Sequence, residues 1–382
     1  MILTNAQIVL PDGIRTDLAV EVRDGKIAGI THPDAVSEDR VDLGGLYLAP
    51  GFIDLHVHGG DGRDTMDGTV DAFRAICDFH ATGGTTSLLL TTVTAPLEQL
   101  FAVLSAVRKA ITALPQIAGV HLEGPFLSKL KCGAQREDFL RIPDSRVTEK
   151  LLKFTDILKR VTLAPEIDGA LDLIEALTRA HVSVSGGHSD AWDEQARAGW
   201  ERGMRSVTHV FNCMSSARRR DAYRVAGLLE FVLAEPSIHC ELIADGHHVS
   251  PTLMKMLYRA KGADGVSLVT DATAGAGLAN GAHFRLADTE CVVRDGACFL
   301  ADGSALAGSA ARMIDLVRTM VAQVGLPIHE AIRMATSNPA REIGLKAKGR
   351  IEVGADADFV VLSHDMKVVR TIIGGRQVWP VE

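Results

Sequence analysis

Apolar and polar residues alternate along the first fifty positions, in ILTNAQIVL, LAVEVRDGKIAGI and VDLGGLYLAPG, with glycine turns between the runs. Alternation of period two predicts short antiparallel strands joined as hairpins. The far end repeats the pattern in GRIEVGADADFVVLS and KVVRTIIGGRQVW. Two β-rich ends around a different middle predict one small β-sandwich domain built from residues 1–50 and 345–382. Two unrelated β appendages are the weaker reading.

Residues 51–344 change rhythm. Short apolar runs (GFIDLHVHG, TTSLLLTTV, IAGVHLEGPF, RVTLAPEI, HVSVSGGH, SVTHVFN, HCELIADG and VSLVTDAT) alternate with helical stretches such as TVDAFRAICDFHATG and ALDLIEALTRAH. Strand–helix units repeated about eight times predict an α/β fold of the (β/α)8 TIM-barrel type. A doubly wound open sheet lacks support, because no GxGxxG opens a helix. The Gly-rich GGDG and ATGGTTS do not have phosphate-loop spacing and read as turns.

Composition narrows the function classes. The 382 residues are 47% hydrophobic and 23% charged, as in a soluble globular protein. A net charge of −8 argues against a nucleic-acid or anionic-membrane surface, so an anionic substrate needs a local basic patch. The start, MILTNAQIVLPDG, has no basic segment followed by an apolar one, and no apolar run is long enough to cross a bilayer. Cys77, Cys132, Cys213, Cys240, Cys291 and Cys298 are scattered without CxxC pairs, the pattern of free thiols in a reducing cytoplasm.

Candidate chemistry sits where the strands end. His56 and His58 close the first run, Glu123 the third, His188 the fifth, His209 the sixth and Asp271 the eighth. Side chains two apart on a strand share a face, so His56 and His58 reach one ion. Glu123 has two oxygens with which to bridge two ions, and His188 with His209 suits a second. Imidazoles and carboxylates on successive strand ends of a barrel are the makings of a catalytic divalent-metal site. Zinc suits these donors best, with iron, manganese and cobalt as alternatives. The remaining histidines, including His80, read as structural or solvated, and His121 as a packing residue.

Beyond the spacing, PGFIDLHVHG, VHLEGPFLS, GGHSDA, THVFNCM, IADGHHVS, LVTDAT, DGSALAGS and TSNPAREIGL, followed by GRIEVGADADFVVL, resemble the amidohydrolase superfamily and most closely its N-acetylglucosamine-6-phosphate deacetylase family. The resemblance spans essentially the whole chain. It implies hydrolysis of the acetamide of a 6-phosphorylated amino sugar, with one or two divalent ions and a homodimeric assembly. It places the metal ligands on Glu123, His188 and His209, with His56 and His58 retained for a second ion, and the catalytic aspartate on Asp271. The phosphate-contacting histidine falls on His248, with His247 adjacent, and the phosphate-contacting arginine near Arg220, with Arg218, Arg219 and Arg224 as neighbours. Asn212, Cys213 and Leu306 fall on sugar-phosphate positions. Two departures stand out. Gln135 in CGAQRED takes the place of a histidine that helps polarise the scissile carbonyl, and DAYRVAG follows Arg220 where a Pro-Gly turn is usual. Rival readings are N-acetylgalactosamine-6-phosphate or an N-acyl amino acid as substrate, and a catalytically silent barrel.

Overall fold

The computed structural model describes residues 1–32 and 40–381. Its centre is an eight-stranded parallel sheet in chain order: β1 (Phe52–Val57), β2 (Thr85–Thr91), β3 (Ile117–Glu123), β4 (Leu158–Leu163), β5 (Ser183–Gly186), β6 (Ser206–Val207), β7 (His239–Leu242) and β8 (Val266–Leu268). All eight apolar runs of the sequence form these strands. The sheet closes on itself through a parallel bridge between Val57 and Ala272. Asp54, fully buried on β1, ties this seam: its carboxylate accepts from the Thr270 backbone N–H at 3.2 Å and hydroxyl at 2.6 Å. Amphipathic helices cover the barrel. Among them, Val70–Thr82 begins at Thr69, whose hydroxyl accepts from the Ala72 N–H and satisfies one otherwise unpaired helix-start donor.

Both chain ends meet in the β domain. One sheet orders Lys26–Thr31, Ala19–Arg23, Ile2–Thr4 and Arg40–Asp42. The other orders Arg376–Trp379, Val368–Ile373, Phe359–Leu362, Tyr47–Pro50, Gln7–Leu10 and Gly13–Arg15, mixing strands from both ends. Leu3, Ile8, Val20, Ile27, Leu48 and Phe359 form a shared core. Each buried side chain of this size contributes about 1.5–3 kcal/mol, which joins the termini without a covalent link.

The strand–helix reading assigns no elements to residues 272–312. The structure forms a four-stranded antiparallel sheet there: His283–Leu286, Thr289–Arg294, Ala297–Leu300 and Leu306–Ser309. It hangs from the end of β8, where the Ser309 N–H donates to the Asp271 carbonyl at 2.8 Å. Gly308 makes this approach feasible: it has φ +63°, and a Cβ there would stand 2.5 Å from the Asp271 carbonyl oxygen.

Candidate metal centre

At the carboxyl ends of the strands the six predicted residues converge and are nearly sealed from solvent. His188, His209 and Asp271 lie just past their strands with φ of +46°, +31° and +50°. Left-handed backbone at non-glycine residues costs of order 1 kcal/mol or more and persists only where the surroundings enforce it. Here it turns each side chain back over the barrel mouth. Gly124, at φ +76°, makes the equivalent turn after Glu123, and a Cβ there would meet Thr94 Oγ1 at 2.2 Å.

Glu123 organises the cluster. Its Oε1 lies 3.2 Å from His188 Nε2 and 3.1 Å from His209 Nε2. Its Oε2 lies 3.2 Å from His58 Nε2 and 3.6 Å from His56 Nε2. Asp271 Oδ1 stands 3.4 Å from His56 Nε2 and 3.2 Å from His58 Nε2. Within each histidine pair the two Nε2 atoms are 3.1 Å apart. Zinc–nitrogen bonds of about 2.0–2.1 Å give ligand–ligand edges of about 2.9 Å in octahedral and about 3.3 Å in tetrahedral geometry, and the observed spacing falls between them.

Two of the four outer ring nitrogens support the same reading, while Nδ1 of His58 and of His209 is buried without a hydrogen-bond partner among the described residues. His188 Nδ1 donates to the Lys131 carbonyl at 2.9 Å, and His56 Nδ1 stands 3.3 Å from Glu241 Oε2. Metal-bound histidines are held this way, with the second N–H on a carbonyl or carboxylate and the lone pair turned to the ion. The donor set therefore suits divalent cations in two half-sites, His56–His58–Asp271 and Glu123–His188–His209.

Electrostatics point the same way. Burial opposes charge on His56, His58, His188, Glu123 and Asp271. Glu123 and Asp271 outweigh it at His56 and His58, holding His56 well above the usual imidazole range and His58 at about 9. Glu123 and the Cys213 thiol do the same at His188. In turn the imidazoles keep Glu123 and Asp271 ionised against their burial. The pocket is thus built to hold positive charge, as protons or as metal.

A cavity of about 240 Å³ opens over the cluster, lined also by Gln135, Asn212, Cys213, His248 and Leu306. That is room for a small molecule. Gln135 is held at both ends of its amide: Oε1 accepts from the Thr94 N–H at 2.6 Å, and Nε2 donates to Glu123 Oε2 at 2.7 Å. His248 Nδ1 donates to Asp245 Oδ2 at 2.8 Å; burial lowers its pKa, but Asp245 outweighs this and raises it. His247 is exposed and lies outside the cavity lining.

Arg220 does not reach the cavity of its own chain. It lies on an exposed hairpin, Arg218–Arg220 with Tyr223–Val225, stacked 4.1 Å over Trp192 and bonded to Glu194 at 2.7 Å. Arg218 packs on the same ring and binds Asp190. His121 is not a ligand here, because its Nδ1 faces the Leu55 carbonyl at 3.1 Å and its Nε2 the Thr162 hydroxyl at 2.7 Å. His80 is buried, and burial holds its pKa down to about 4, so it stays neutral and donates to the Gly59 carbonyl. Sequence reasoning missed Leu286, Gly133 and Ile243 among the lining residues. All six cysteines are free, four of them buried, with Cys132 and Cys213 half-buried.

Residues 47–378 match the Amidohydrolase family. The chain belongs to the amidohydrolase family. It is a hydrolytic enzyme, and the resemblance read from the motifs is borne out. An N-acetylglucosamine-6-phosphate deacetylase of Lysinibacillus sphaericus is 34% identical over 381 residues, 98% of this chain and 97% of the relative. An N-acetylgalactosamine-6-phosphate deacetylase of Escherichia coli O157:H7 is 33% identical, with 98% of each chain covered. The crystal structure of N-acetylglucosamine-6-phosphate deacetylase from Pasteurella multocida superposes with a TM-score of 0.93 at 32% identity, again over 98% of each chain. Among the described residues, no helix of the amidohydrolase is long and apolar enough to cross a membrane.

Proposed function

We propose that this amidohydrolase hydrolyses the acetamide of N-acetylglucosamine-6-phosphate to acetate and glucosamine-6-phosphate. The reading rests on the bridging posture of Glu123, one oxygen toward each histidine pair, beside Asp271 in one small cavity. His56, His58 and Asp271 would hold one divalent ion and Glu123, His188 and His209 a second; zinc fits the donors best, ahead of iron, manganese and cobalt. Such ions supply a Lewis acid and lower the pKa of bound water from about 15.7 to about 7.

The chain's own groups do the rest. Asp271, whose Oδ1 faces His56 and His58, takes the proton from the attacking water at its other oxygen, Oδ2, and returns it to the departing amine nitrogen. Gln135 holds Glu123 in its bridging orientation and presents its amide edge to the cavity. His248, oriented and charged by Asp245, receives the phosphate, aided by Asn212 and the backbone at Cys213. Leu306 and Leu286 close over the sugar. Among the described residues no lysine or arginine lines the cavity, and the homodimer that the family resemblance implies would supply Arg220 of a partner subunit as the second phosphate contact. The free cysteines fit a cytoplasmic enzyme.

The similarity to an N-acetylgalactosamine-6-phosphate deacetylase keeps the C4 epimer as the second reading. Amine release is measured from both phosphorylated sugars and from unphosphorylated N-acetylglucosamine, with zinc-reconstituted protein. Turnover of the glucosamine derivative well above the other two is expected. No turnover of any of them by metal-loaded protein removes the reading.

A further inference from the structure

Below the metal centre lies a charged network that the chemistry above does not use. Arg160 on β4 and Glu241 on β7 are fully buried. Arg160 Nε stands 3.0 Å from Glu241 Oε1. Glu241 Oε2 lies 3.3 Å from His56 Nδ1 and 3.4 Å from the His209 backbone N. One carboxylate therefore touches a ligand of each half-site. The rest of the guanidinium is fully engaged: Nη1 binds Glu342, and Nη2 donates to Ser185 Oγ at 3.0 Å and Ser206 Oγ at 2.5 Å. Glu342 ends the helix Ser337–Glu342 of the TSNPAREIGL motif, a segment with no role in the reaction proposed above. That helix is pinned under β8 by Asn338, whose Nδ2 donates to the Ala263 and Val266 carbonyls, each at 2.7 Å.

We propose that the buried Glu342–Arg160–Glu241 relay is a positioning device that sets the tautomer of His56 and thereby makes the His56–His58 half-site competent to bind an ion. A guanidinium has only donors and an ionised carboxylate only acceptors. Arg160 Nε and Glu241 Oε1 form an ion pair without completing a hydrogen bond, so the guanidinium holds Glu241 by charge, and Glu241 Oε2, 3.3 Å away, demands a proton on His56 Nδ1. The proton on Nδ1 leaves the lone pair on Nε2, which faces His58, Glu123 and Asp271.

The inference rests on the two-ion reading of the site, and Glu241→Gln tests it. The introduced amide keeps the shape of the side chain. The negative end of the amide dipole, its carbonyl oxygen, settles toward the Arg160 cation 3.0 Å away, so its NH₂ turns to His56 Nδ1. Two donors cannot face each other, so the His56 proton moves to Nε2 and the ligand lone pair is lost. Zinc titration followed by elemental analysis is expected to show two ions in the wild type. The Glu241→Gln protein, folded by circular dichroism, is expected to bind the second 10–100-fold more weakly, the usual effect of losing such a partner. The triple variant Arg160→Met, Glu241→Gln, Glu342→Gln removes the dictating cation and both buried carboxylate charges. The amide introduced by Glu241→Gln is then free to turn its oxygen to His56 Nδ1–H, and most of the roughly 10–100-fold loss in second-ion affinity is recovered, since the ligand's tautomer is restored. A merely structural role predicts the opposite order, with the triple variant the worse.

Unchanged affinity in Glu241→Gln, or a triple variant as depleted as the single one, overturns the proposal. Should either variant fail to fold, the long-range ¹⁵N histidine spectrum of zinc-loaded wild-type protein decides. Nδ1–H at His56 supports the relay, and an unprotonated Nδ1 overturns it. A wild type that holds fewer than two ions defeats the two-ion reading instead, and the His56 tautomer still settles this proposal separately.

Discussion

Replacing Gln135 by leucine separates two jobs this position could perform. The amide makes two hydrogen bonds to protein atoms, from the Thr94 N–H at 2.6 Å and to Glu123 Oε2 at 2.7 Å. Leucine fills nearly the same space and deletes both. Thr94 is buried, so its stranded N–H costs about 1–3 kcal/mol of stability. The bond to Glu123 has a charged acceptor and is worth about 1.5–3 kcal/mol. At 1.36 kcal/mol per decade this is roughly a 10- to 150-fold loss in kcat/KM. Because the bond holds the bridging carboxylate, the same change weakens metal binding. The assay is amine release over a series of buffered zinc concentrations. The expected result is a fall in kcat/KM of that size together with a rise in the zinc concentration giving half-maximal activity. A fall in kcat with an unchanged zinc dependence refutes the reasoning, because it places the amide on the acetyl carbonyl and not on Glu123.

Three further predictions follow from the geometry. In the metal-free protein Asp271 and Glu123 overcome the effect of burial and hold His58 at about 9, while a ligand imidazole must be neutral. Protons therefore compete with metal below about pH 9, apparent affinity rises with pH up to that point, and metal uptake at pH 7 releases protons; calorimetry in buffers of different ionisation enthalpy reads this, and zero release counts against it. Arg220→Ala is expected to raise KM for the phosphorylated sugar about 10- to 150-fold with little change in kcat, the worth of one charge-assisted bond. Mixing it with the inactive Asp271→Asn protein should restore a low KM in hybrid dimers, and unchanged KM in Arg220→Ala removes the residue from the phosphate site. Asn338→Leu leaves two buried carbonyls unpaired and should cost about 2–5 kcal/mol by urea unfolding, whereas a loss below about 1 kcal/mol shows that the motif's anchor lies elsewhere.

The barrel was legible because its strands are short apolar runs whose last residues change abruptly to imidazole or carboxylate, as in FIDLHVH and VHLEG. That junction between core and chemistry recurs at fixed places along the chain and carries its own register. The sheet at 283–309 left a signal of another kind, Asp295–Gly296 and Asp302–Gly303 between apolar runs, which marks hairpin turns. The strand–helix rhythm on either side drew attention away from it. Arg160 had no readable signal. One arginine inside KRVTL looks like a solvated edge, and its partner Glu342 lies 182 positions away. Burial of such a residue depends on a contact that no local pattern encodes. Arg220 shows the converse: its place in the motif was readable, but its distance from the pocket of its own chain depends on the fold of a hairpin.

Ala272 has a position whose consequence reaches past this one reaction. Its backbone bridges Val57 on one side, closing the barrel, and Ser309 on the other, anchoring the sheet that carries Leu286 and Leu306 over the cavity. The residues that would break the bond and those that would choose the molecule are thus joined at Ala272, with further hydrogen bonds from Asp61 and Gly62 to Ala276 and Ala274. The stretch from Ala279 to Leu306 is where the chain varies the wall of the cavity, while Gly308 and Ser309 keep the turn of Asp271. A fold arranged this way is a socket with a removable faceplate, in which the repertoire of acyl groups admitted is altered by grafting one contiguous stretch of chain.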